Sequence, residues 1–309
     1  MRALFAFLGR RATWLLIAAF LLGIGWPALA ELLAPTVYWA ALASMFLGAV
    51  RLDWPGLARN LRRPGLALAL IALVLVGLPI AVNGLTGWLL PAGSPLVTAM
   101  TLAAAGPPLG SAAAYAVLLG LDSALCLVAT VPAMALAPLV MPPLVLGLIG
   151  IEADIDIATF ALRLGVMVAV SLAGGFLVRL AFGPRWIELN AVWIDGSLVA
   201  SVLLVTCGVM QGMQAVLLGE PAKAALYTGA AFALNIGMSL AMLPLAPFID
   251  RKRLLSAGLV LGNRNGVLLL VSFGDAAGPD VYLFLVLIQI PLASMPLAYA
   301  AATRLLLRG

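Results

Sequence analysis

The sequence of 309 residues contains no histidine and few charged residues of either sign. Its charged fraction is 9%, whereas soluble domains carry about 25%. The absence of histidine excludes histidine general bases, serine–histidine–aspartate triads and histidine-based zinc sites. The two cysteines, Cys126 and Cys207, lie inside apolar runs and indicate neither a disulfide nor a metal site. With no nucleophile beside a base and no buried acid/base pair in the pattern, we expect no enzyme.

Apolar residues are abundant instead. They make up 64% of the chain, and the mean hydropathy is +1.17. A soluble protein of this composition would expose apolar surface to water, and a disordered chain would be far more polar. The composition therefore predicts an integral membrane protein whose main surroundings are the lipid bilayer. At roughly 20 residues a span, the chain has room for about ten transmembrane helices.

Long apolar runs without alternation favour an all-α protein over a transmembrane barrel. The segment 1–30 also resembles a signal peptide, but the apolar run continues through Leu33 and is long enough to span. We treat the chain as one transmembrane domain over 1–309, with a first repeat at about 12–148 and a second at about 158–303. The predicted spans are 12–33, 36–52, 64–84, 95–120, 122–148, 158–181, 188–217, 221–247, 252–273 and 277–303.

The placement of charge tests this topology. If the N-terminus is cytoplasmic and the spans alternate, all 17 basic residues except Arg163, Lys223 and Arg264 lie at the inner side. The outer loops carry mainly acidic residues. We therefore expect both termini in the cytoplasm and a bacterial inner membrane as the location. The net charge of +5 then reflects membrane topology, and no nucleic-acid partner is expected.

Two predicted spans are interrupted near the bilayer midplane. The fourth contains Ala105–Ser111, in which Pro107 and Gly110 break the helix, and the ninth contains Leu261–Gly266, with breaks at Gly262 and Gly266. One broken helix at a corresponding place in each half indicates a transport site in an inverted repeat. The alternative is a pair of kinks that serve packing alone.

Arg264 lies about 18 Å from the start of the ninth span. A charge at this depth is costly and should face a cavity or a partner. Its guanidinium suits a carboxylate, sulfonate or phosphate. The structural alternatives are that it satisfies carbonyls freed by the broken helices or pairs with a carboxylate such as Asp122 or Asp195.

Several uncharged side chains accompany Arg264 as candidates for substrate binding. In membrane helices such groups also cap half-helices or bond to their own backbone. We include five because they lie within or beside the two breaks: Pro108, Ser111, Tyr115, Asn263 and Asn265. Thr130, in the neighbouring fifth span, is considered with them.

The runs Met45–Trp54, Pro107–Pro142 and Gly262–Asn265 carry a resemblance, over the whole chain, to the bile acid:sodium symporter family. The run Met45–Trp54 is similar to the second span of that family and its following loop, and Pro107–Pro142 is similar to its fourth and fifth spans. Gly262–Asn265 is similar to the Gly-Met-Gln-Asn run of its ninth span. Within the fourth and fifth spans the family pattern is matched at Pro107, Ala124, Leu125, Thr130, Pro138, Leu139 and Pro142.

The resemblance implies ten spans in a five-plus-five inverted repeat. It also implies unwound fourth and ninth spans that cross near the midplane, and a panel and a core that move to give alternating access. Two sodium ions lie behind the crossing in the family. Here the serine–asparagine ligand pair of the fourth span falls on Ala112 and Ala113, and the fifth-span serine falls on Cys126, while the threonine is kept as Thr130.

In the ninth span the family glutamate falls on Val260 and the glutamine on Arg264. Sodium prefers oxygen ligands, and a fixed guanidinium would repel it. We therefore expect a secondary transporter of a small organic anion without the usual sodium sites and without a cofactor. The alternatives are a sodium-coupled organic anion symporter, with the ion held by backbone carbonyls and other side chains, and a transporter-like membrane sensor. The oligomeric state stays open.

Overall fold

The computed structural model describes residues 2–61, 65–149, 157–273 and 278–307. Within these ranges the chain forms helices and no strand beyond an isolated antiparallel bridge between Pro108 and Arg264. Seven described helical segments are long and apolar enough to cross a membrane. The bent pair Arg2–Gly9 and Trp14–Gly25 adds an eighth if it is one span. The fold is therefore all-α and fits a multi-pass membrane protein.

The helices, in chain order, follow the apolar runs of the sequence. They are α1 (Arg2–Gly25), α2 (Pro27–Leu33), α3 (Val37–Val50), α4 (Trp54–Asn60), α5 (Gly65–Ala72), α6 (Leu78–Leu89), α7 (Pro95–Ala105), α8 (Ala112–Leu118), α9 (Ser123–Ile149), α10 (Ile157–Leu189), α11 (Ala191–Gly208), α12 (Met213–Gly219), α13 (Pro221–Leu240), α14 (Arg251–Gly262), α15 (Gly266–Phe273), α16 (Gly278–Leu287) and α17 (Gln289–Leu307). A π-helical segment, Leu73–Gly77, joins α5 to α6.

Large apolar side chains lie on the surface. Trp88 is 81% exposed, and Leu118 and Phe248 are each 80% exposed. Soluble monomers rarely expose broad apolar surface, whereas lipid tails provide an apolar solvent for it. The surface therefore agrees with the apolar helices in supporting a membrane protein.

The chain divides into two compact units, and each unit takes segments from both halves of the sequence. Unit 1 comprises Met1–Leu52 and Gly165–Ala225, and unit 2 comprises Asp53–Leu164 and Leu226–Gly309. Each unit is therefore built by long-range packing between distant segments of the sequence.

Close helix packing characterises unit 1, in which α11 packs against α1, α2 and α3. A Cβ atom added at Gly23 would lie 2.7 Å from the carbonyl oxygen of Cys207, and one added at Gly196 would lie 2.5 Å from a ring carbon of Phe5. Small residues at helix interfaces let backbones approach closely inside a membrane. These glycines therefore set the spacing of the α1–α11 pair.

The first two spans divide at a different place from the one predicted. The sequence predicts a boundary near residues 34–35, but α1 ends at Gly25 and Pro27 begins α2. Proline lacks an N–H donor and clashes with the preceding turn, so it favours the first turn of a new helix. A short 3-10 turn, Ala34–Thr36, then links α2 to α3 within one apolar segment, Pro27–Val50.

The sequence also has two longer polar stretches, which predict an outer loop at 150–157 and a stretch on the inner face at 182–190. The outer loop lies outside the described residues except for Ile157, which begins α10. The inner stretch is largely helical, with a kink of non-helical backbone at Gly183 (φ 76°, ψ 165°). The charged residues Arg185 and Glu188 lie on the helical turns after this kink.

Unit 2 contains both interrupted spans. In this unit α14 packs against α8, α9 and α17, while α7 packs against α6, α9 and α16. The carboxylate of Asp250 accepts a hydrogen bond from the backbone N–H of Arg253 at 2.9 Å and so caps the start of α14. Four prolines, at positions 132, 138, 142 and 143, lie inside α9.

Candidate functional site

The two helix interruptions of unit 2 meet each other. Residues 106–111 separate α7 from α8, and residues 263–265 separate α14 from α15. We call these two segments together the crossing. Both predicted broken spans are thus divided into half-helices of 7 to 12 residues, each too short to cross a bilayer alone.

The crossing is held by backbone hydrogen bonds. The N–H of Leu109 donates to the carbonyl oxygen of Asn263 at 2.9 Å, and the N–H of Asn265 donates to the carbonyl oxygen of Pro107 at 2.8 Å. These bonds flank the antiparallel bridge between Pro108 and Arg264. Unwound backbone inside a membrane needs internal partners, and here each segment supplies them to the other.

Arg264 is the largest fully buried side chain of the described residues, with 0% of its surface exposed. Its Nη1 donates to the carbonyl oxygen of Gly106 at 3.3 Å. Its Nε and Nη2 have no hydrogen-bond partner in the described part of the chain. A buried cation with two unused donors is costly, so this group is a strong candidate for binding an acceptor.

The two carboxylates considered as partners for Arg264 are engaged elsewhere. Asp122 lies 3.6 Å from Arg253 Nε and also accepts a hydrogen bond from the N–H of Leu125 at 2.9 Å. Asp195, in unit 1, lies 2.8 Å from Arg51 Nε. Among the residues that the structure describes, no carboxylate forms an ion pair with Arg264.

The two asparagines of the crossing act as helix caps. Asn263 Nδ2 donates to the carbonyl oxygen of Leu259 at 2.8 Å, at the end of α14. Asn265 Oδ1 accepts from the N–H of Leu268 at 3.0 Å, at the start of α15. The side chain of Asn265 thus satisfies a backbone N–H that the break leaves without an intrahelical partner. The side chain of Asn263 instead adds a second donor to the Leu259 carbonyl oxygen, which also accepts from the backbone N–H of Asn263 at 3.3 Å.

The five positions at which the resemblance would place sodium ligands offer little to a hard cation. Ala112 and Val260 are fully buried and apolar, and Ala113 is half-buried. The Sγ of Cys126 is buried and donates to the carbonyl oxygen of Ser256 at 3.6 Å. Thr130 retains a buried hydroxyl, whose oxygen has no partner within the described residues. Among these five side chains, the Thr130 hydroxyl therefore supplies the one oxygen ligand for a sodium ion.

The remaining candidates lie on the fourth-span side of the crossing. Pro108 is buried opposite Arg264. Ser111 is exposed at the start of α8, Tyr115 is half-buried one turn later, and Gly110 lies between Pro108 and Ser111. The structure thus brings Pro108 and Arg264 together, while Ser111 and Tyr115 lie along the adjoining half-helix.

Two residues that the sequence analysis missed contact the ninth-span break. Asn235 Nδ2 donates to the carbonyl oxygen of Gly262 at 2.8 Å, and Asn235 Oδ1 has no partner in the described part of the chain. A Cβ atom added at Gly262 would overlap Ser239 Oγ. Asn235 and Ser239 are four residues apart in α13, and that spacing is the signal that places them on one helix face.

Gly262 provides a direct test of how tightly the crossing is packed. Beyond Ser239 Oγ, an added Cβ would lie 3.0 Å from the carbonyl oxygen of Asn235, which is backbone and cannot rotate away. We expect Gly262→Ala to lower the free energy of unfolding by about 1–3 kcal/mol. The matched control is Gly110→Ala, whose Cβ meets only the flexible Met134 side chain, at 3.6 Å. Thermal unfolding in detergent should show a loss for Gly262→Ala alone; equal effects would contradict the packing described.

A scan of the sequence against protein-family models and a search of curated proteins both found no match.

Proposed function

We propose that this protein is a secondary transporter of a small organic anion, which works by alternating access without the usual sodium sites. The observation that carries the proposal is Arg264: a fully buried guanidinium at a crossing of two broken helices, with two donors free of partners among the described residues. Intramembrane charges of this kind mark substrate or ion pathways.

The architecture supports the same function. Seven of the described helical segments are apolar enough to span, and the bent pair Arg2–Gly9 and Trp14–Gly25 counts as an eighth in this proposal. Each of the two broken spans then passes through the bilayer once, which gives ten. Ten spans in two five-span halves would place the broken helices at corresponding positions, as in transporters built from inverted repeats. We propose both termini on the cytoplasmic side of an inner membrane.

Arg264 serves two purposes in this proposal. Its Nη1 donates to Gly106 at the C-terminal end of α7, where the helix dipole favours a cation. In discontinuous transporter helices, such C-terminal ends and free carbonyls coordinate the coupling cation. Arg264 thus stands in for that cation as a tethered charge, and its other edge binds the anion.

Sodium should leave the thermal stability of this protein unchanged. Because Ala112, Ala113, Cys126 and Val260 offer no oxygen ligands and Arg264 repels cations, sodium should not bind the native state. A ligand that binds only the native state raises Tm by mass action. We expect equal Tm values in sodium, potassium and choline chloride at matched ionic strength.

A Tm that rises in sodium alone would contradict sodium independence and favour a sodium symporter.

A measurement of anion flux distinguishes a transporter from a membrane sensor that does not transport. Saturable movement of an organic anion into vesicles that contain the purified protein, above vesicles without it, supports transport, whereas binding without flux would indicate a sensor.

A further inference from the structure

The two Arg264 nitrogens that have no partner among the described residues belong to the same edge of the guanidinium. Nε and Nη2 lie along one edge of the planar guanidinium, and their N–H bonds point in the same direction. The hydrogen bond to Gly106 uses Nη1, which lies on a different edge. The free edge therefore presents two parallel donors, the arrangement that binds two oxygens of one oxyanion.

The charge at the site limits the valence of that oxyanion. Arg264 supplies one positive charge, and within the described residues the neighbouring polar groups of the crossing are neutral amides and backbone. A buried charge without compensation is strongly disfavoured. A monovalent head group is neutralised by Arg264 alone, whereas a dianion would retain an uncompensated charge.

We propose that the Nε–Nη2 edge of Arg264 binds the carboxylate or sulfonate of a monovalent substrate side-on through two parallel hydrogen bonds. This inference rests on the proposed function and narrows it to a substrate class. Halides, which have a single acceptor atom, and phosphate dianions are excluded from this edge. Because Arg264 has no exposed surface, the head group reaches the edge only when the helices around it shift.

The test uses probes with the same apolar body and different head groups. Thermal unfolding of the detergent-purified protein is measured with benzoate, benzenesulfonate, phenyl phosphate and chloride as sodium-free salts at matched ionic strength. Benzoate and benzenesulfonate should raise Tm in a saturable way, and phenyl phosphate and chloride should not. Equal shifts from all four anions, or no shift from benzoate and benzenesulfonate, would overturn the inference.

The variant Arg264→Lys tests whether the anion needs two parallel donors or only a positive charge. Lysine keeps the positive charge but cannot present two fixed parallel donors. We expect the variant to weaken benzoate binding by about 10-fold or more, with Arg163→Lys, at an exposed arginine, as the matched control. An Arg264→Lys variant that binds benzoate as tightly as the native protein would overturn the inference.

Sodium-independent anion flux would still support the proposed function in that case. The absence of any anion flux in the native protein would overturn the proposed function itself.

Discussion

An inside-negative membrane potential should drive the anion out of vesicles that contain this protein. If no cation moves with the substrate, each transport cycle carries one negative charge, since Arg264 returns to its starting position. Moving one elementary charge across a membrane potential of 100 mV changes its free energy by about 2.3 kcal/mol. That free energy corresponds to about a 50-fold higher concentration outside than inside at equilibrium. The protein would then act as an exporter in a cell with an inside-negative potential.

The measurement uses a potassium gradient and valinomycin to set the potential across vesicles in sodium-free buffer. Benzenesulfonate suits the assay because it stays ionised and crosses lipid slowly. Reversing the gradient should reverse the distribution, and vesicles without the protein provide the baseline. A distribution that ignores the potential would show that a counter-ion travels with the anion and would contradict uncoupled transport.

Arg264→Met should abolish anion flux while making the protein more stable. The substitution removes both donors of the proposed binding edge, and each hydrogen bond to a charged group contributes about 1.5–3 kcal/mol. Flux at a fixed low substrate concentration should therefore fall by about 100-fold or more. The same change removes a fully buried charge whose hydrogen bonding within the described residues is a single bond of 3.3 Å, so Tm should rise by a few degrees.

Arg163→Met is the matched control, because Arg163 is an exposed arginine on α10. It should leave both flux and Tm close to the native values. A fall in Tm for Arg264→Met with flux retained would contradict substrate binding and assign Arg264 to holding the crossing together. In that case the backbone bonds of Leu109 and Asn265 would be insufficient for stability.

The breaks between α7 and α8 and between α14 and α15 could be predicted from the sequence, because proline and glycine act on the backbone locally. Pro107 removes a helical donor whatever surrounds it, and Gly262 precedes three polar residues inside an apolar run. Counting residues along the predicted span placed Arg264 far from the span's ends, and the structure buries its side chain completely. These features depend on short stretches of chain.

The hydrogen-bond partners of the residues at the crossing depend on long-range packing and could not be predicted from the sequence. Asn235 is separated from Gly262 by 27 residues, and Gly106 is separated from Arg264 by 158. Asp122 and Asp195 were plausible partners for Arg264 by residue type, but their pairing with Arg253 and Arg51 required the folded chain. Asn263 and Asn265 could be read as binding or capping residues until their hydrogen bonds were seen.

The most direct test is saturable benzenesulfonate uptake into vesicles in choline buffer, compared between the native protein and Arg264→Met, with and without added sodium. We predict saturable uptake by the native protein in choline, no change when sodium is added, and no uptake above protein-free vesicles for Arg264→Met. Uptake that requires sodium, or uptake that persists in Arg264→Met, would contradict sodium-independent anion transport through Arg264.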